Sequence, residues 1–116
     1  MSNPICHFEI GCRDQAKAKQ FYSSVFAWRF EIGKSGQEMI RTGADVGGHL
    51  NPLEHLPHNY TIFYVMVGDI RATIAKAESA GGKKLVGPIP MDGGKSEYAW
   101  IADLEGNIIG VYSESK

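Results

Sequence analysis

The chain has 116 residues, of which 43% are hydrophobic and 22% charged, and 12 Lys and Arg stand against 13 Asp and Glu for a formal charge of −1. This is one domain's length with an ordinary globular balance. It excludes the basic surface that nucleic-acid binding demands, and the longest apolar run, Ile62 to Val67, is too short to span a membrane.

The first element is a strand over about Ile5 to Arg13, closed by Asp14, a good helix N-cap. Ala18, Phe21, Tyr22, Val25 and Phe26 recur at helical spacing and predict one apolar stripe on the helix that follows. Trp28 to Ile32, Glu38 to Thr42 and Val46 to Leu50 read as three further strands, separated by turns at Lys34-Ser35-Gly36 and Gly43-Ala44-Asp45. Asn51 to Asn59 holds Pro52 and Pro57 and has no period, so it reads as a linker with His55 and His58 as surface imidazoles. Thr61 to Val67 opens a second strand-helix unit, in which Asp69 is the cap, Ile70, Ile74 and Ala77 the stripe, and Gly81-Gly82 the stop. Lys83 to Val86, Ser96 to Asp103 and Asn107 to Ser113 read as strands, with Gly87 to Gly94 as a mobile loop at the mouth of a cleft. Asp103-Leu104-Glu105-Gly106-Asn107 reads as a hairpin turn.

The strand-Asp-helix unit therefore occurs twice, with the two aspartates 55 positions apart, at 14 and 69. Repetition at half the chain's length indicates a duplicated module of order β-α-β-β-β. The expected layout is a single α+β domain over 1–116, with module one at about 4–51, a linker at 52–59 and module two at about 60–115. Two such modules form a curved mixed sheet, a half-barrel whose hollow suits a small-molecule ligand.

Strand alternation assigns the faces. Phe8, Ile10 and Cys12 form the set packed under the first helix, leaving His7, Glu9 and Gly11 on the concave side. In the second copy Phe63, Val65 and Val67 match the packed set, and Ile62, Tyr64 and Met66 the concave one. On the last strand Ile109 and Val111 suit the helix side, and Ile108, Gly110 and Tyr112 the cleft. Trp100 is left open by parity alone. Cys6 and Cys12 share a strand face roughly 20 Å apart, too far to pair, and read as buried thiols in a reducing compartment. Met1-Ser2-Asn3-Pro4 lacks the regions of a signal peptide, so a cytoplasmic protein is expected.

The repeated unit, the closing run Asp103-Leu104-Glu105-Gly106-Asn107-Ile108-Ile109-Gly110-Val111-Tyr112, Phe21-Tyr22, Val46-Gly47-Gly48 and Ala80-Gly81-Gly82 together resemble the vicinal oxygen chelate superfamily. This is the glyoxalase/bleomycin resistance/dioxygenase family, and the resemblance runs from about His7 to Glu114. It implies that fold, a homodimer, and a divalent metal held from four positions. Of these His7 matches the first, while Gly47, Ile62 and Gly110 stand at the other three. One ligand out of four argues against the family's usual metal centre.

The site expected here is thus a small-molecule site without cofactor. His7 serves as general base or hydrogen-bonding group, Glu9 orients it, and Trp100, Tyr64, Tyr112, His49 and Met66 bind substrate. Such a site suits a metal-independent lyase or isomerase, or a protein that sequesters its ligand. The alternative is a metal-dependent glyoxalase- or dioxygenase-like enzyme built on His7, Glu9 and His49, a donor set suited to Zn²⁺, Fe²⁺ or Mn²⁺.

Overall fold

The computed structural model describes residues 3–34, 36–53 and 59–114. Eight strands and two helices follow in the order β1 (Ile5–Cys12), α1 (Gln15–Phe26), β2 (Arg29–Ile32), β3 (Glu38–Arg41), β4 (Gly47–Pro52), β5 (Thr61–Met66), α2 (Ile70–Ser79), β6 (Lys83–Met91), β7 (Ser96–Ala102) and β8 (Ile108–Glu114). A short 3-10 turn at Asp92–Gly94 separates β6 from β7. The chain forms two compact units, one of Cys6–Ile62 and one of Phe63 onward with the residues up to Ile5.

Each unit carries the same mixed four-stranded sheet. In the first, β2, β3 and β4 pair antiparallel and β4 pairs parallel with β1. In the second, β6, β7 and β8 pair antiparallel and β8 pairs parallel with β5. The order β-α-β-β-β expected from the spacing of the aspartates is present in both.

The two helices start by the same device. Asp14 Oδ1 accepts the Lys17 amide at 3.0 Å, and Asp69 Oδ1 accepts the Ala72 amide at 3.0 Å. Each bond satisfies one of the four amides that a helix start leaves without a partner. The helix ends differ. Ala27 closes α1 in the left-handed region at φ 59, whereas Gly81 at φ 100 and the Gly82 amide on Ala77 O at 2.8 Å close α2.

The core of the first unit is Ile10, Ile40 and Leu50, with Phe8, Cys12, Ala18, Tyr22, Trp28 and Phe30 packed on it. The face assignment for β1 holds. The stripe on α1 is narrower than its spacing suggests: only Ala18 and Tyr22 meet the sheet, and Phe21, Val25 and Phe26 are exposed. One residue is about 100° of helix rotation, so Phe21 and Val25 lie to one side of the Ala18–Tyr22 ridge. Phe21 and Phe26 rest instead on the neighbouring rings of Tyr22 and Trp28, each with centroids 5.2 Å apart.

The core of the second unit is Val67, Ile70, Ile74, Ala99 and Val111, with Val65 and Ile101 against it. Phe63, expected in the packed set, is 42% exposed. The cluster below α2 ends at Val65, and Phe63 lies one side-chain repeat beyond it.

Two strand ends differ by two residues or more from the sequence reading. β4 continues through Asn51 to Pro52, so these two residues are strand and not linker. β6 runs on to Met91 through the Gly- and Pro-rich stretch expected as a loop. It stands at the edge of its sheet, where prolines cost no ladder bond, and takes them up with register shifts between Lys84 and Val86 and between Val86 and Ile89. The loop is reduced to residues 92–95. Cys6 and Cys12 are half-buried rather than buried, and neither is in a disulfide. His55 and His58 lie outside the described residues. Among the described residues no helix is long and apolar enough to cross a membrane.

Candidate functional site

Parallel pairing of β1 with β4 sets the site of the first unit. Glu9 stands opposite His49 and Gly11 opposite Asn51, two residues on from the pairing of His7 with Gly47. Period-two alternation puts His7, Glu9, His49 and Asn51 on the face away from Phe8 and Ile10. Gly47 leaves the place across from His7 without a side chain, and a Cβ there would stand 2.8 Å from Ile40 O. His7 meets His49 diagonally instead.

The contacts form a chain. His7 Nε2 and His49 Nδ1 are 2.8 Å apart, with the rings stacked at a centroid distance of 5.0 Å. His49 Nε2 lies 3.6 Å from Glu9 Oε1. Glu9 is 3% exposed. Its Oε2 accepts the Tyr60 hydroxyl and, at 3.0 Å, the Asn51 amide, which also reaches Tyr60 Oη at 2.8 Å. Tyr60 is itself held by its carbonyl, which accepts the Gly11 amide at 2.9 Å.

This chain selects one tautomer pair. A proton on His49 Nε2 faces the Glu9 carboxylate, whereas a lone pair there would oppose it. His49 Nδ1 is then an acceptor, and His7 must donate its Nε2–H. The lone pair of His7 is thereby assigned to Nδ1. Burial, seconded by the neighbouring His49, pushes His7 down from 6.5 to about 4, against a smaller upward pull from Glu9. Burial also lowers His49, with Glu9 opposing. Both imidazoles are neutral near pH 7. Burial and the bond to Glu9 hold the Tyr60 hydroxyl well above the usual phenol range, so it stays a donor.

The same contacts decide whether these residues suit a divalent ion. Three of the four positions that the family resemblance implies hold no donor side chain: Gly47, Gly110 and the buried Ile62. In the substitute set, His7 Nε2 and His49 Nδ1 engage each other, and Glu9 Oε2 engages Tyr60 and Asn51. Among the described residues no group of three or more His, Cys, Asp or Glu could hold a metal. His7, Glu9 and His49 come together on one face of the sheet, joined by the contacts above.

The other expected substrate-binding residues lie in the second unit. Tyr64 on β5, Gly110 on β8 and Trp100 on β7 form one row across three strands. Gly110, in the middle, carries no side chain, and a Cβ there would collide with the Tyr64 ring. Tyr64 and Trp100 meet over it: Trp100 Nε1 donates to Tyr64 Oη at 2.8 Å. This settles the facing of Trp100, with Ala99 and Ile101 on the helix side. Tyr98 joins the row edge-on, 6.3 Å from Tyr64. Met66 pairs with Tyr112, whose hydroxyl donates to Glu114 Oε2 at 3.1 Å, away from the Tyr64–Trp100 pair.

Sequence reasoning missed Asn51, Tyr60 and Tyr98. Asn51 was within reach, since it stands two residues after His49 and shares its parity. Tyr60 carries no signal of its own, because it lies outside any strand and its role depends on the distant Gly11.

The Glyoxalase/Bleomycin resistance protein/Dioxygenase superfamily is matched over residues 5–111. A glyoxylase-like domain-containing protein of Didymella fabae is 29% identical over 112 residues, covering 89% of this chain and 88% of its own. Among solved structures, a hypothetical protein from Bacillus halodurans C-125 superposes with a TM-score of 0.73 at 15% identity, over 100% of this chain and 97% of that one. Methylmalonyl-CoA epimerase from Mycobacterium tuberculosis superposes with a TM-score of 0.66 at 15% identity, over 97% and 88%. The Streptomyces coelicolor epimerase in complex with 2-nitronate-propionyl-CoA does so with 0.66 at 18%, over 100% of both chains. At these identities the likeness is one of fold.

Proposed function

The chain belongs to the Glyoxalase/Bleomycin resistance protein/Dioxygenase superfamily, and on that footing we propose that it binds a small anionic carbonyl compound and moves a proton on it through His7, without a metal. The reaction class is that of an isomerase or lyase. The observation that carries the reading is the 2.8 Å bond from His7 to His49, with Glu9 behind it.

The chemistry follows from the tautomers. His7 Nδ1 takes a proton from the carbon beside the carbonyl, leaving an enolate and an imidazolium. The imidazolium keeps its Nε2–H bond to His49, and Glu9 stabilises the charge through His49. Return of the proton to the same carbon or its neighbour completes an isomerisation and restores neutral His7. A buried imidazole near 4 is a weak base in the empty site. A ligand carboxylate or a developing enolate beside it raises its affinity for a proton, which is why an anionic ligand suits it. Epimerases of similar fold in complex with acyl-CoA compounds support a ligand with an acidic α-carbon.

The test is deuterium exchange. The protein is incubated in D₂O with methylmalonyl-CoA, with 2-oxobutyrate and with the glutathione hemithioacetal of methylglyoxal, and the α-protons are followed by NMR. The reading expects exchange into at least one of these and loss of at least a hundredfold in His7→Gln. Exchange that survives in His7→Gln contradicts it, as does the absence of exchange with all three.

The Tyr64–Trp100 row favours a second reading, capture of a flat ligand without turnover. Tight binding that quenches Trp100, with no exchange and no effect of His7→Gln, would select it.

A further inference from the structure

A cation stands in register with His7 on the polar face of the first unit. His7 pairs with Gly47 across β1 and β4, and Arg29 pairs with Arg41 across β2 and β3. The β3–β4 register sets Met39 opposite His49 and Ile40 opposite Gly48. Carried one residue further, it brings Arg41 beside Gly47. Just past that pair Thr42 Oγ1 donates to Val46 O at 2.8 Å, which keeps the two strands together there. His7, Gly47, Arg41 and Arg29 therefore form one row across four strands.

Alternation puts the row on the face of His7, because Phe30 and Ile40, the sequence neighbours of Arg29 and Arg41, turn to the core with Phe8. Gly47 leaves a gap in the row. A Cβ there would stand 2.8 Å from Ile40 O, so the floor between His7 and Arg41 is bare backbone. Two strand spacings put about 10 Å between the backbones of His7 and Arg41. Polar contacts of about 3 Å at each end leave space over Gly47 for a short carbon chain.

Arg41 Nε donates to Glu31 Oε1 at 2.6 Å, and its Nη2 reaches the same oxygen. A guanidinium carries several further N–H donors, so Nη1 is left for a second acceptor. The two side chains are 60% and 55% exposed, and exposed pairs of this kind hold weakly. Arg29 takes part in none of the ion pairs among the described residues. Two guanidinium groups thus face one carboxylate, and this end of the row is cationic. The Glu9 carboxylate on the same face is buried and held by Tyr60 and Asn51.

We propose that Arg41 is a specificity-determining residue of the proton-transfer site: it receives a carboxylate carried by the ligand, with Arg29 beside it. The ligand is then an oxo acid whose carboxylate lies a short carbon chain away from the carbon that His7 deprotonates. This rests on the role given to His7 above and assigns the end of the ligand that His7 does not touch. The planar guanidinium matches the two carboxylate oxygens, which a lysine ammonium cannot do.

The full ¹⁵N-labelled chain is titrated with 2-oxoglutarate, with its uncharged dimethyl ester and with inorganic phosphate, and exchange of the protons beside the 2-oxoglutarate ketone is followed in D₂O. Saturable shifts are expected at Arg41 Nε–H and at the Gly47 amide with 2-oxoglutarate, and with neither control at the same concentration. Arg41→Gln should weaken binding about tenfold, and Arg41→Lys should recover only part of it. Glu31→Gln, which removes the competing carboxylate, should tighten binding about threefold. In the exchange assay Arg41→Gln should raise KM and leave kcat within about twofold, whereas loss of a merely structural ion pair would move neither. Binding that follows Arg41 without any exchange upholds the carboxylate site and overturns only the proton-transfer reading. Ester or phosphate binding as tightly as 2-oxoglutarate, shifts that never saturate, or indifference to Arg41→Gln overturns this proposal, whether or not exchange occurs.

Discussion

His7 Nε2 lies 2.8 Å from His49 Nδ1, and that contact organises the first unit's polar face. It exists because Gly47, not a larger residue, stands opposite His7 on β4. It makes one imidazole the support of another, with the carboxylate of Glu9 behind both.

Burial of a neutral His7 makes stability depend on pH. In the unfolded chain His7 takes a proton near 6.5, while in the folded chain it does so only near 4. Between these values the unfolded state binds more protons, so stability falls as pH falls from about 6.5 to about 4 and is complete above 6.5. Urea midpoints measured at pH 7.5 and pH 4.5 should drop in the parent chain and drop less in His7→Gln. Equal drops would show that His7 is not the group responsible.

Tyr60→Phe removes a donor from Glu9 and leaves that buried carboxylate with one fewer partner. Loss of a hydrogen bond to a charged group costs about 1.5–3 kcal/mol. Chemical denaturation should register that loss, and the His7 and His49 ring resonances should shift with it. A Tyr60→Phe chain as stable as the parent would remove Tyr60 from the network.

Gly110→Ala places a methyl against the Tyr64 ring in the middle of the Tyr64–Gly110–Trp100 row. Overpacking of this kind costs about 1–3 kcal/mol. The Trp100 emission should change as its bond to Tyr64 Oη is disturbed. An unchanged melting temperature and spectrum would mean that the ring is not seated there.

Asp14→Ala and Asp69→Ala each remove an equivalent N-cap bond of 3.0 Å. Each should cost about 1 kcal/mol, and the two losses should add, because the caps lie in different units. A loss at one position only would show that the modules no longer rely on the same start signal.

The duplicated β-α-β-β-β order was legible because Asp14 and Asp69 mark it with local chemistry, a cap at a fixed place after a strand. The faces of β1 were legible because alternation is rigid over eight residues. What the sequence did not show depends on meetings between distant strands. Parity left Trp100 open, and only the register that sets it beside Gly110 and Tyr64 assigns it. The width of the α1 stripe was overread, since helical spacing at Phe21 and Val25 does not say how far the sheet below extends. Pro88 and Pro90 read as a loop because nothing local reveals that β6 is an edge strand.

The most direct test of the account is a two-dimensional ¹H–¹⁵N correlation of the histidine side chains, recorded across pH 3.5 to 8 on the free protein. The account predicts that His7 is neutral at pH 7 with its proton on Nε2 and titrates near 4, lower still in Glu9→Gln, where the upward pull of that carboxylate is gone. An ordinary titration near 6.5 with the proton shared between both nitrogens, unmoved by Glu9→Gln, would contradict it.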